Sequence, residues 1–173
     1  MNFQAVLTEG KALLQAFSDS LPEDDNMPVA IEEPFVLEID GLDIPIIGVM
    51  DLVEEDEAGT IIIGDYKTCS KAFSTNEVNK NFQLTMYHLA ARRNGYADRE
   101  ILLRFDCLIK TKVPKFKQFY TTRTEIDEIR AIRKIHEVWK GIQSGIFIPN
   151  DQSWKCNWCE HKRFCTSWFL SDR

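Results

Sequence analysis

The sequence contains no long apolar run. None of its hydrophobic stretches approaches the about 18 residues that a membrane-spanning helix requires. Residues 1–16 also lack the basic region and apolar block of a secretory signal. We therefore expect a cytoplasmic protein without a membrane partner.

Positive charge is also scarce, with 21 Lys and Arg against 27 Asp and Glu and a net charge of -6. Proteins that coat nucleic acid nonspecifically depend on many Lys and Arg contacts to phosphate, so this balance argues against that class. It is compatible with an enzyme that binds phosphate locally and uses acidic residues to hold a metal.

Neither disorder nor repetition is indicated. Apolar residues make up 44% of the 173 residues and charged residues 28%, which is ordinary globular composition. The length suits about one domain. We assign residues 1–150 to a folded core and residues 151–173 to a cysteine-rich tail.

Hydrophobic periodicity and turn residues predict the order of elements. A helix over residues 2–18 precedes a β-hairpin, whose second strand covers residues 44–53 and ends near Asp51. A strand over residues 60–67 follows and forms a second hairpin with the strand before it. The remaining predictions are a helix over 75–94, strands over 101–112 and 115–122, and a helix over 124–144. Residues 147–173 show no sustained period, so we expect their folding to depend on a bound metal or cluster.

Two aspartates are expected to meet at the second hairpin. Asp51 ends one predicted strand and Asp65 lies near the end of the next, so antiparallel pairing brings them together. Lys67 follows Asp65 by two residues and therefore points to the same face. Two carboxylates suit a divalent ion. Such an ion promotes phosphodiester hydrolysis by stabilising negative charge on the phosphate and by activating water. The lysine can orient that water or offset the same charge. An isolated Asp-x-Lys is more often only a solvated strand end.

The next helix carries two further polar residues. Gln83 and Tyr87 are four residues apart and so share one face. A Gln amide and a Tyr hydroxyl can hold phosphate or base edges near a metal, or the same face can simply pack on the sheet.

These motifs together resemble those of a known family. Gly48-Val49-Met50-Asp51, Asp65-Tyr66-Lys67-Thr68 and Gln83 with Tyr87 are similar in order and spacing to the PD-(D/E)XK nuclease superfamily, RecB-like exonuclease branch. The resemblance covers about residues 31–95. It implies an α/β (α+β), restriction-endonuclease-like mixed central sheet flanked by helices and followed by the cysteine-rich segment.

The resemblance also implies site roles. Asp51 and Asp65 are expected to bind Mg2+ or Mn2+, Lys67 to be the catalytic lysine, and Gln83 and Tyr87 to position the substrate or that lysine. Glu33 is a further candidate metal ligand, whose alternative is a solvated strand edge. Four basic residues flank the site and are expected to contact DNA, double- or single-stranded: Lys71, Lys80, Arg92 and Arg93.

Five cysteines without a secretory signal fit a reducing compartment, where clustered cysteines more often bind metal than form disulfides. Cys156, Cys159 and Cys165 resemble the triplet that ligates a [4Fe–4S] cluster in some RecB-like members. Zn2+ is the alternative, with His161, Cys69 or Cys107 as a candidate fourth ligand, although Cys69 and Cys107 fit buried apolar positions.

The chain also departs from the family pattern. It has no cysteine before Cys69 and no histidine before His88, whereas the family usually places one of each in a longer opening segment. Either a fragment that lacks this N-terminal segment or a natural short form explains both absences.

We expect a metal-dependent DNA nuclease, more an exonuclease than an endonuclease, in bacterial or phage DNA processing, repair or recombination. A catalytically inactive nuclease-fold module that binds nucleic acid within a larger recombination or helicase complex is the alternative. A redox or zinc-dependent interaction module built on the cysteines is a third hypothesis.

Overall fold

The computed structural model describes residues 2–21 and 26–170. Its elements, in chain order, are α1 (Phe3–Ser18), β1 (Met27–Leu37), β2 (Ile46–Glu55), β3 (Ile61–Cys69), α2 (Thr75–Asn79), α3 (Phe82–Arg93), β4 (Ile101–Ile109), β5 (Lys115–Thr121), α4 (Glu125–Gln143), a short 3-10 helix (Trp154–Trp158) and α5 (Lys162–Leu170). Through α4 the predicted order of helices and strands is found, except that two helices, α2 and α3, replace the one predicted over residues 75–94. Part of the predicted loop over residues 18–28 lies outside the described residues.

Five strands form one mixed sheet in the order β1-β2-β3-β4-β5. The β3 and β4 strands are parallel, and every other neighbouring pair is antiparallel. Parallel neighbours need a crossover, which α2 and α3 provide between β3 and β4. The predicted α+β fold with a mixed sheet flanked by helices is confirmed.

The first hairpin extends further than the sequence suggested. The β2 strand was predicted to end near Asp51, but it continues to Glu55 because Leu52 and Val53 pair with Gly64 and Ile63 of β3. Asp51 therefore lies within the strand, one residue beyond the last β2–β3 pair.

Gly48 is needed for a close approach within this hairpin. It lies opposite Phe35 of β1, and a Cβ atom at this position would overlap the Phe35 ring. Because glycine leaves that space open, the Phe35 ring covers β2 and makes an edge contact with Tyr87 of α3, with ring centroids 6.1 Å apart.

The single helix predicted over residues 75–94 is wrong, because the structure has two helices with a break at Lys80 and Asn81. The side chain of Asn81 accepts a hydrogen bond from the Leu84 backbone N–H, which caps a new helix. Arg123 stabilises the break by donating to the carbonyl oxygens of Val78 and Asn81. Because α3 begins as a separate helix at Phe82, its own axis sets the direction in which its side chains point.

A buried ion cluster links the strands. The Arg104 guanidinium of β4 lies 2.6 Å from a Glu54 carboxylate oxygen of β2 and donates to Asp106 at 3.0 Å. Asp106 also accepts a hydrogen bond from Gln118 of β5. A Cβ atom at Gly64 would approach the Arg104 guanidinium to 3.3 Å, so this glycine makes room for it between β2 and β4.

The chain divides into two compact units, residues 1–134 and 135–173. The first contains the sheet, α1 to α3 and the first part of α4. The second contains the rest of α4, the 3-10 helix and α5, so the tail, which shows no sustained sequence period, has two short helices. A domain boundary after residue 150 stays a prediction. Among the described helices, none has the length and apolarity to cross a membrane.

Candidate active site

The centre of the site is Asp65 on β3, whose side chain is only 1% exposed. Lys67, two residues further along the strand, points to the same face, and its ammonium forms an ion pair with Asp65 Oδ2. The same ammonium lies 5.5 Å from the centroid of the Phe105 ring on β4. The lysine is thus held between a carboxylate and an aromatic ring and is 30% exposed, so it can still reach a ligand.

The α3 helix supplies two more contacts to Asp65. Gln83 Nε2 donates to Asp65 Oδ1 at 2.7 Å, and the Tyr87 hydroxyl donates to the same oxygen at 3.1 Å. Gln83 Nε2 also lies 2.7 Å from the Tyr87 hydroxyl oxygen. The sequence left Tyr87 open between packing and site chemistry, and the structure gives it both a ring contact with Phe35 and a bond to Asp65.

Asp51 approaches from β2. Its Oδ2 accepts a hydrogen bond from the Tyr66 backbone N–H at 3.0 Å, which fixes it beside the residue that follows Asp65. Asp51 is half-buried, and its negative charge is close enough to raise the pKa of Asp65. The hairpin therefore brings the two carboxylates together as predicted.

The surroundings of Asp65 act on its pKa in both directions. Burial is the main reason that the pKa of Asp65 is raised, Asp51 adds to the effect, and the Lys67 ion pair acts in the opposite direction. Burial and the Asp65 charge also raise the pKa of Tyr87, so its phenol keeps its proton and remains a donor.

These residues fit a divalent metal ion in the way that Mg2+ is usually bound. Such ions take hard oxygen ligands, often only one or two carboxylates, and complete their coordination with water and substrate phosphate. Asp51 and Asp65 offer two such carboxylates, and their mutual repulsion would be relieved by a cation. The donor set therefore suits Mg2+ or Mn2+.

Glu33 does not join this pair. It lies opposite Met50 in the β1–β2 ladder and is half-buried. Within residues 2–21 and 26–170, no three acidic, histidine or cysteine side chains form a group that could hold a metal ion. The structure thus brings together Asp51 and Asp65 without Glu33.

The four predicted DNA-binding residues lie apart. Lys71 is exposed in the segment between β3 and α2, and Lys80 is exposed at the break between α2 and α3. Arg92 and Arg93 are exposed at the end of α3, where Arg92 lies 3.7 Å from Glu128. Their contact with DNA stays a prediction.

The cysteines separate into two sets. Cys156, Cys159 and Cys165 line one pocket of about 310 Å³ in the second unit, and all three are free thiols. In the first unit Cys107 is fully buried and interacts with Cys69, and burial raises the pKa of Cys107 to about 12. Such a thiol stays protonated at neutral pH, which fits the structural role expected for both.

Sequence reasoning missed Arg123. This residue is 8% exposed and donates five hydrogen bonds that join α2, α3 and β5, and their acceptors are Val78 O, Asn81 O, Thr85 Oγ1, Thr121 Oγ1 and Thr122 O. An arginine just before a helix resembles any exposed charge in the sequence, so no local pattern could have identified it. Phe105 beneath Lys67 was also missed, because only the parallel pairing of β3 and β4 brings them together.

The five-stranded mixed sheet carries two carboxylates and a lysine on neighbouring strands, and a helix with Gln and Tyr covers them. This is the architecture of restriction-endonuclease-like nuclease folds. The model of the PD-(D/E)XK nuclease superfamily matches residues 5–166. The chain belongs to the PD-(D/E)XK nuclease superfamily.

Two solved structures are similar to this chain. One is a "Putative exonuclease" from Eubacterium rectale, with a TM-score of 0.63 and 12% identity over 98% of this chain. The other is the protein SSO0001, with a TM-score of 0.53 and 16% identity over 95% of this chain. The chain spans 63% of the length of the first and 71% of the second, and at these identities the likeness shows the fold. No curated protein matches the sequence.

Proposed function

We propose that this chain is a Mg2+- or Mn2+-dependent deoxyribonuclease of the RecB-like branch that acts as an exonuclease in DNA processing, repair or recombination. The observation that carries the proposal is the convergence of Asp51, Asp65, Lys67, Gln83 and Tyr87 on one carboxylate-centred site. The similarity to a protein named as an exonuclease supports the choice of reaction.

Each side chain has a separate task in this proposal. Asp51 and Asp65 would hold the divalent ion, which supplies Lewis acidity toward the phosphodiester and makes water more acidic. The ammonium of Lys67 orients the attacking water or offsets negative charge that develops on the phosphate. Gln83 and the protonated Tyr87 donate to Asp65 Oδ1 and hold that carboxylate in one orientation.

The purified protein tests the proposal with labelled linear double-stranded, covalently closed circular and single-stranded DNA in Mn2+ and in EDTA. We expect linear DNA to be degraded in Mn2+, the closed circle to resist because it has no ends, and EDTA to stop the reaction. Cleavage of the closed circle would identify an endonuclease. Binding without cleavage of any substrate would support the alternative, a catalytically inactive nucleic-acid-binding module of a helicase or recombination complex.

We also propose that Cys156, Cys159 and Cys165 ligate a [4Fe–4S] cluster, with Zn2+ as the alternative. Support comes from their common pocket and from the preference of thiolates for such metals, whereas the three thiols do not form a metal-holding group as they are placed in the structure. His161, the candidate fourth ligand for zinc, is exposed and lies in the same unit.

Anaerobic purification distinguishes the two metals. A visible absorbance band that is lost in Cys159→Ser protein, together with iron in elemental analysis, is the expected result. Equimolar zinc without visible absorbance would contradict the cluster and support a zinc site. The matched control is Ser167→Ala, because this exposed α5 residue lies in the same unit and does not line the cysteine pocket, so the change should leave the metal content unchanged.

A further inference from the structure

Two adjoining pockets lie beside the break between α2 and α3. Their volumes are about 390 and about 570 Å³, and both are lined by Asn79, Lys80, Asp127 and Arg130. Because they share these residues, the two pockets form one groove, which we call the α3 groove. It lies entirely within the first unit.

The α3 groove carries surplus positive charge. Lys80, Arg130 and Lys134 line it, and all three are exposed. Asp127 supplies the one carboxylate among the lining residues. It accepts from the backbone N–H and hydroxyl of Thr124 at 2.9 and 2.8 Å and forms an ion pair with Arg130 at 3.8 Å. With Arg130 paired to Asp127, Lys80 and Lys134 still leave the groove with surplus positive charge, which favours an anionic ligand.

A buried cation contacts the residues that line the groove. Arg123 donates to Thr85 and Thr121, which line one pocket each, and all five of its hydrogen bonds go to uncharged oxygens. Its charge is therefore satisfied in direct contact by dipoles, while Asp127 offsets part of it through space. A buried charge is weakly screened, so it adds to the attraction for an anion.

Exposed aromatic rings accompany these cations. Phe82 lines one pocket and is 44% exposed, and Tyr120 lines the other and is 46% exposed. Cationic grooves with exposed aromatic rings bind single-stranded nucleic acid, because the cations contact phosphates and unpaired bases stack on the rings. Paired bases in a duplex do not offer these faces.

The groove and the candidate active site share the first turn of α3, although none of the five site residues lines either pocket. Phe82 directly precedes Gln83, which donates to Asp65, and both belong to the first turn of the helix. We propose that the α3 groove binds single-stranded substrate next to the cleaved bond, with Lys80, Arg130 and Lys134 on phosphates and Phe82 stacking a base. This inference rests on the proposed nuclease function for its connection to cleavage.

Binding in EDTA tests the groove separately from cleavage. Fluorescence anisotropy measures Kd for a labelled oligothymidine and for a duplex of equal length at several salt concentrations. We expect the triple variant Lys80→Gln, Arg130→Gln, Lys134→Gln to bind the single strand at least about tenfold more weakly, and the slope of log K against log salt to fall by about 2.

A charge-matched variant provides the control. Lys11→Gln, Lys112→Gln, Lys115→Gln removes the same charge from exposed positions elsewhere in the first unit and should retain single-strand affinity. Equal weakening in both triple variants, an unchanged groove variant, or no single-strand binding by the parent protein would overturn the inference. If the parent protein binds but does not cleave, a selective loss in the groove variant still supports the groove and counts against the nuclease proposal alone.

Stacking is measured in the same assay. We expect Phe82→Leu to weaken single-strand binding about tenfold, Phe82→Tyr to retain it, and neither change to affect the duplex. Equal losses for single strand and duplex would contradict a stacking role and the single-strand preference.

Discussion

Asp65→Ala is expected to lower the rate constant of DNA cleavage by at least about 10³-fold, and Lys67→Ala by about 10² to 10³-fold. Asp65 is the point at which Lys67, Gln83 and Tyr87 meet, so its loss removes a proposed metal ligand and the acceptor that orders three side chains. Lys67 has the smaller expected effect because it contributes charge and positioning while both carboxylates remain.

The measurement is single-turnover cleavage of linear DNA at saturating Mn2+. Asp98→Asn is the matched control, since Asp98 is an exposed carboxylate in the segment between α3 and β4. Cleavage that persists at the parent rate in either site variant would show that the reaction occurs elsewhere.

A pH series separates loss of chemistry from loss of folding. Burial raises the folded-state pKa of Asp65 above its ordinary value of 3.8, so its ionisation opposes folding as the pH rises through the raised value. In metal-free protein, the unfolding free energy of Asp65→Asn should therefore improve relative to the parent protein between pH 3 and pH 7. An inactive variant whose unfolding free energy at the assay pH equals or exceeds that of the parent protein cannot owe its inactivity to unfolding.

Arg104→Met is expected to lower the free energy of unfolding by about 3 to 5 kcal/mol. The guanidinium is 4% exposed and lies between Glu54 and Asp106, which are 12% and 2% exposed, so its removal leaves two carboxylates buried without their cation. Urea unfolding followed by circular dichroism measures the change.

Arg99→Met is the control for this prediction. Arg99 pairs with Glu55, but the two side chains are 35% and 40% exposed, and water can replace the lost interaction. Ion pairs this exposed contribute about 0 to 1 kcal/mol. Similar losses in the two variants would contradict the view that burial of the carboxylates causes the cost at Arg104.

Local patterns predicted much of the fold because they depend on neighbours in sequence. The alternation of Phe35 and Leu37 identified β1, and the β-branched residues before Asp65 identified β3, since side chains in a strand alternate between two faces. The two-residue separation of Asp65 and Lys67 was enough to place them on one face. The break at Asn81 was missed because both sides of it have helical periodicity, and the Arg123 hydrogen bonds that stabilise it come from 42 residues away.

For this protein, the sequence alone determined the second hairpin, the common face of Asp65 and Lys67, and the common face of Gln83 and Tyr87, because each depends on spacing along one element. Only the tertiary structure decided that Gln83 and Tyr87 donate to the same oxygen of Asp65, that Glu33 does not join the carboxylates, and that Arg123 contacts the lining of a cationic groove. These contacts join elements distant in sequence, and the strand order of the sheet together with the packing of α3 on it determines which side chains meet.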